Sequence, residues 1–127
     1  MSIRQITTDI KNGKTSARRQ VEEALQKAEA AKDYNAFISL TAERALKKAD
    51  EIDNKIKSGQ TIGALAGVPF VVKDNYLAFG APSTAAARML ENFDAPLQAT
   101  VVEKLEAAGA ICIGKSNLDA FAHGSST

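Results

Sequence analysis

The chain has a single cysteine, a single histidine, no tryptophan and almost no excess of either charge. One thiol, Cys112, cannot close a disulfide within the chain, which suits a reducing cytosol. With His123 the sole imidazole and no Cys-x-x-Cys pair present, the ligands of a structural zinc site are missing, and no metal is expected. Sixteen basic residues face fifteen acidic ones for a formal net charge of +1, so no global field draws the chain to nucleic acid or to an anionic membrane. The apolar runs are too short to cross a bilayer, and no charged-then-apolar leader precedes the first helical pattern. The expectation is a cytoplasmic polypeptide with no membrane partner. A length of 127 residues with 45% apolar content is enough for one core and too little for two.

What is present centres on Gly67-Val-Pro-Phe-Val-Val-Lys-Asp-Asn75. A continuous apolar run, interrupted only by Pro69, fits a strand covered on both faces in an α/β sheet better than an alternating, half-wet one. Lys73 follows with no polar residue before it. Ligands of open α/β sheets bind outside the carboxyl ends of strands, so Lys73 is the leading functional residue. The same placement also fits a strand end returning to water. Packed against apolar walls, a lysine loses hydration and can become a neutral base, whereas a direct pair with Asp74 would oppose that.

Around this stretch, residues 2–11 read as an amphipathic helix, with Ser2 and Gln5 at capping-box spacing and Ile3, Ile6 and Ile10 on one face. A second helix runs from Thr15 or Ser16 to about Ala31 with Val21, Ala24, Leu25 and Ala28 inward. Residues 36–40 suit a short strand. Thr41 then caps a helix bearing Ala45, Ala49, Ile52 and Ile56, which ends at Lys57-Ser58-Gly59. Residues 1–60 thus form a mostly helical N-terminal segment, and residues 61–127 form a separate segment built on two apolar strands. In the latter, Gly80-Ala-Pro-Ser-Thr84 fits a site lining and a tight surface turn equally. Thr100 and Glu103 have capping-box spacing ahead of a short helix with Gly109 as its C-cap, and Ala110-Ile-Cys-Ile-Gly114 is a second apolar strand ending in Lys115. Strand, helix, strand predicts a parallel, right-handed βαβ unit that puts Lys73 and Lys115 at one sheet edge. Lys115 is expected to be a solvated strand end, Cys112 a core residue, and Asn117 the cap of one helical turn holding Leu118 and Phe121. Two strands with an open edge and a Gly-Ser-Ser-Thr terminus look truncated.

The blocks Gly67–Asn75, Ala99–Ala110 and Gly114–Thr127, in this order and spacing, resemble the start of the amidase signature family. Within it they are most similar to the A-subunit branch of the aspartyl/glutamyl-tRNA amidotransferases. The resemblance implies an α/β class chain, the N-terminal part of an α/β/α fold on a mixed sheet. It also implies a Ser-cisSer-Lys triad that hydrolyses an amide through an acyl-enzyme. Only Lys73 of that triad has a counterpart here; both serines belong to a Gly/Ser-rich signature absent from this sequence, so the chain by itself is expected to be inactive. Ser125 and Ser126 match the preceding block and do not replace them. That block implies a substrate-pocket role for His123, Gly124, Ser125 and Ser126, with His123 standing where this branch commonly carries methionine.

The same resemblance implies glutamine as substrate, B and C subunits as partners and charged tRNA reached through the complex. It implies no cofactor in this chain; ATP and magnesium serve the complete assembly. A fragment of a stand-alone small-molecule amidase and a non-catalytic interaction module are the alternatives.

Overall fold

Two serine hydroxyls begin the fold as the sequence spells out. Ser2 Oγ accepts the Gln5 N–H and Ser16 Oγ accepts the Arg19 N–H, both at 3.1 Å, which starts α1 (Ile3–Lys11) and α2 (Ala17–Ala30). The computed structural model describes residues 2–124, and its remaining main elements are β1 (Phe37–Leu40), α3 (Ala42–Lys57), β2 (Pro69–Lys73), α4 (Thr100–Ala107) and β3 (Ile111–Ser116). Ile10, Val21, Ala45 and Ala49 from the first three helices pack with Ile111 and Ile113 of β3 in one apolar cluster. Ile3, expected on the same stripe as Ile10, is instead 56% exposed at the start of α1, where the chain end is least tied down.

Two of the expected caps are not made. Thr41 does occupy the position before α3, but its hydroxyl donates 2.9 Å to the Cys112 carbonyl of the neighbouring strand. A buried hydroxyl there finds a better acceptor across the sheet than along its own helix. Thr100 is the first residue of α4 rather than its cap, and Ala99 holds that place through its N–H, which donates to the Leu77 carbonyl at 2.8 Å. The N-terminus of α2 has a cap that no local pattern announces: the Asp53 carboxylate, from α3, accepts the Ala17 and Arg18 N–H groups at 2.8 and 3.0 Å. An anion at that end also complements the helix dipole.

The sheet has the order β1-β3-β2, with β2 parallel to β3 and β1 antiparallel to it. The parallel βαβ pairing agrees with the sequence pattern, and β1 adds a strand that makes the sheet mixed. On the face away from the first three helices, Val72, Cys112, Val102 and Ala78 form a second cluster. The expectation that β2 is covered on both faces fails, since it is an edge strand and Val71 is 40% exposed. The connector to β2 lies against the end of α4, where the Leu65 N–H donates to the Ala108 carbonyl at 2.8 Å and the Gly67 N–H to the Gly109 carbonyl at 3.0 Å. Gly109 has φ +92°, and a Cβ on it would come within 2.8 Å of the Ala66 Cα, so both conformation and space require glycine.

A charged network ties α3 to α4 and to the loop after β2. Arg44 grips the Glu106 carboxylate with its two terminal guanidinium nitrogens, Gln98 donates to Glu106 at 2.9 Å, and the Phe79 N–H donates to Gln98 at 3.0 Å. The Arg44 guanidinium also lies 5.9 Å from the centre of the Phe79 ring. Burial pushes the Glu106 carboxyl up, but the hydrogen bonds from Arg44 and Gln98 outweigh it and hold the group below its ordinary value. A carboxyl depressed in the folded state contributes stability above its unfolded pKa of about 4.3 and loses it as pH falls through the lower folded value. Glu106→Gln should therefore cost a constant unfolding free energy, about 1–2 kcal/mol, between pH 7 and 5. That cost should shrink below about pH 4 in urea melts, and a cost that stays constant to pH 3 would contradict this assignment.

Candidate active site at the carboxyl edge of the sheet

Parallel pairing brings the ends of β2 and β3 together: Val72 lies opposite Lys115 and Lys73 opposite Ser116. Both lysines thus reach one sheet edge, but Lys115 is not the solvated strand end expected. Lys115 has no exposed surface, and Lys73 is exposed and without an ion pair among the described residues. A bulge produces this. The register passes from Phe70–Cys112 to Val71–Gly114 and skips Ile113. Strict alternation from Ile111 and Ile113 would send Lys115 toward the helices; the extra residue sets it beside Val72 and aims it at Asp74.

Lys115 Nζ lies 2.9 Å from Asp74 Oδ1 and donates to Ser83 Oγ at 2.8 Å. The contact with Oδ1 is close but poorly aligned for a hydrogen bond, so its attraction is mainly Coulombic. The other carboxylate oxygen accepts from the Thr84 hydroxyl and from the Thr84 N–H at 3.0 Å. Asp74, Ser83 and Thr84 are all buried, so the Gly80–Thr84 stretch is no simple surface turn. Lys115 is equally no solvated strand end. The sequence did hold a signal for this: a lysine with four non-polar residues before it enters the sheet interior unless the strand stops short, and β3 continues through Ser116. No signal along the chain marked Ser83 and Thr84 as its partners.

The backbone beyond Thr84 is unusual. Ala85 and Ala86 have φ of +49° and +53°, and Phe121 and Ala122 have φ of +54° and +56°. Each left-handed non-glycine residue costs about 1–2 kcal/mol, and here the two pairs are joined by the Phe121 N–H, which donates to the Ala85 carbonyl at 2.8 Å. Asn117 does not cap a helical turn. Its Oδ1 accepts the adjacent Leu118 N–H at 2.9 Å, and a single 3-10 turn, Ala120–Ala122, follows Asp119 instead. His123 and Gly124 are exposed, with the Gly124 N–H bonded to the Asp119 carboxylate. Ser125 and Ser126 lie outside the described residues. Cys112 is 2% exposed and burial pushes its thiol pKa up, the setting of an inert core cysteine.

Chemically, this edge offers one accessible amine whose neighbouring carboxylate is already engaged. Among the described residues no group of three or more His, Cys, Asp or Glu could hold a metal ion. Among the described residues no helix is long and apolar enough to cross a membrane.

A family model described as Amidase matches residues 19–127. The chain belongs to the amidase family. Among curated amidase relatives, the A-subunit of glutamyl-tRNA(Gln) amidotransferase from Nostoc punctiforme is 46% identical over 127 residues, which is 99% of this chain and 26% of the relative. Its counterpart from Gloeobacter violaceus is 45% identical with the same coverage. Among solved amidase structures, the native peptide amidase of Stenotrophomonas maltophilia superposes with a TM-score of 0.90 at 29% identity, covering 97% of this chain and 26% of that one. The chain therefore spans about a quarter of the length of the relatives it matches. These likenesses agree with the N-terminal amidase fold implied by the three sequence blocks.

Burial separates the two lysines in a measurable way. Lys115→Met leaves Asp74 charged and unpaired in the interior and should cost about 3–5 kcal/mol of unfolding free energy. Lys73→Met, at an exposed position, should change it by about 0.5 kcal/mol or less. Equal costs in chemical denaturation would show that Lys115 does not carry the buried pair.

Proposed function

We propose that this chain is the N-terminal portion of a glutamine-hydrolysing amidotransferase subunit, and that Lys73 is its catalytic base. The supporting observation is the division of charge at the sheet edge: Lys115 engages Asp74, and Lys73 is left exposed with no carboxylate partner among the described residues. An amine in that situation is within reach of a bound substrate and is not engaged by a carboxylate. Similarity to the amidotransferase relatives over nearly the whole chain supports the choice of reaction.

In this mechanism a serine hydroxyl attacks the side-chain carbonyl carbon of glutamine. Its proton passes through a second serine, held by a cis peptide, to Lys73 Nζ. The tetrahedral intermediate collapses to a glutamyl ester as the proton is returned to the departing nitrogen, which leaves as ammonia. Water then cleaves the ester to glutamate. The ammonia goes to a partner that amidates Glu-tRNA(Gln) or Asp-tRNA(Asn), with B and C subunits completing a cytoplasmic complex. ATP and magnesium serve that amidation step, and the described residues of this chain supply no acidic cluster to hold the ion. His123 and Gly124 would contribute to the glutamine pocket together with Ser125 and Ser126. The sequence contains no Gly/Ser-rich block to supply the two serines, so residues 1–127 alone should release no ammonia from glutamine above background.

The likeness to a peptide amidase keeps a stand-alone amidase as the second reading. Both are tested in the complete protein assembled with its partners. Lys73→Ala should abolish ammonia release from glutamine and leave amidation with added ammonium largely intact. Lys73→Arg should fail in the same way, because a guanidinium stays protonated. Near-normal glutaminase turnover in Lys73→Arg would overturn the role of Lys73. Absence of any ammonium-dependent amidation in the wild type would favour the stand-alone amidase.

A further inference from the structure

We infer, resting on the glutaminase reading above, that Asp74, Lys115, Ser83 and Thr84 are positioning residues that fix the direction of Lys73 and the shape of the 83–86 loop beside it. A buried ion pair is a poor device for stability alone, since a well-packed apolar pair of similar volume often serves equally well. Here the pair is joined to two hydroxyls and a backbone N–H at a place where an apolar pair could make none of those bonds.

Asp74 is fixed in several directions at once. Its N–H donates to the Ser116 carbonyl at 3.1 Å, its carbonyl accepts the Ala85 N–H at 3.1 Å, and its carboxylate holds Lys115 and Thr84. Lys73 ends the strand between Val72, which is buried on the strand, and Asp74, which is buried just beyond it, so locking Asp74 inward holds Lys73 on the face opposite Val72. That face is the accessible one, where Val71 is 40% exposed.

The loop is held from the same point. Thr84 Oγ1 accepts the Ala86 N–H at 3.1 Å, closing the left-handed Ala85-Ala86 pair, and the Ala85 carbonyl in turn receives the Phe121 N–H. Backbone in this conformation persists only where its surroundings over-determine it. The carboxylate of Asp74 supplies that constraint through Thr84, and Lys115 with Ser83 keeps the carboxylate in place. The 119–124 turn, which carries His123 and Gly124, is thereby referred to the same anchor as Lys73.

The test uses the complete amidotransferase and reads the single-turnover rate constant for acylation by saturating glutamine, which does not depend on the fraction of folded enzyme. Asp74→Val combined with Lys115→Met removes both buried charges together, and thermal melting with ammonium-dependent amidation reports whether the fold and the partner interface survive. The acylation rate constant should fall more than about tenfold in that folded variant, in line with the cost of an ångström-scale misplacement. Retention within tenfold would overturn the inference and leave the pair a structural element only. If the double variant does not fold, Thr84→Val and Ser83→Ala decide, because each leaves the ion pair in place. A fall of more than about threefold in either, with Thr84→Ser restoring the Thr84→Val loss, supports positioning, and anything less overturns it. Lys73→Ala separates the two levels: if it leaves acylation unchanged, the glutaminase reading itself has failed. If it abolishes acylation while the double variant stays active, only the positioning role has failed.

Discussion

Two opposite charges with no solvent exposure stand 2.9 Å apart at the carboxyl edge of the sheet, and either one left alone would sit in a medium unable to hydrate it. Lys115 and Asp74 can be buried only together, and that requirement constrains what surrounds them. The ends of β2 and β3 must be adjacent and parallel, the chain after β2 must fold back to bring Ser83 and Thr84 under the pair, and β3 must contain a bulge that turns Lys115 away from the helices. The exposed Lys73 stands between Val72, buried on the strand, and Asp74, buried just past its end, and so faces the other way.

The remainder of the fold makes this edge rigid by close approach rather than by a large core. The connector residues 63–67 lie directly on the end of α4, where a side chain on Gly109 would strike the Ala66 backbone. Arg44, Glu106 and Gln98 then hold the Phe79 region against α3 and α4. The loop that supplies Ser83 and Thr84 is thus restrained at its start by this network and at its end by the Ala85–Phe121 hydrogen bond. On the opposite side of the sheet, the cap that Asp53 places on α2 joins the first helical layer to α3, and the Ile10 and Val21 cluster carries the contact through to β3.

Membership of the amidase family fits this division of labour. Relatives as different as a component of a tRNA amidotransferase and a peptide amidase share the sequence or the fold of this segment. In this chain the segment presents an exposed Lys73 beside a buried Asp74 that is paired with Lys115.

Much of this was legible along the chain. Local hydrogen bonds fixed the Ser2 and Ser16 caps, apolar periodicity fixed the helical stripes through Val21, Ala28, Ala45 and Ala49, and two apolar runs flanking a helix fixed the parallel pairing of β2 with β3. Each depends on neighbours within a turn or on the general handedness of strands, so sequence spacing was sufficient information. The identity of Lys73 as the residue at the strand end was equally a matter of local order. Its accessibility, the burial of Lys115, the diversion of the Thr41 hydroxyl to Cys112 and the recruitment of Ser83 and Thr84 were decided only by the tertiary structure. A one-residue bulge reverses which face a side chain occupies, and a buried charge is satisfied by whatever groups the folded chain brings within about 3 Å, neither of which is encoded in the spacing of residues along the strand.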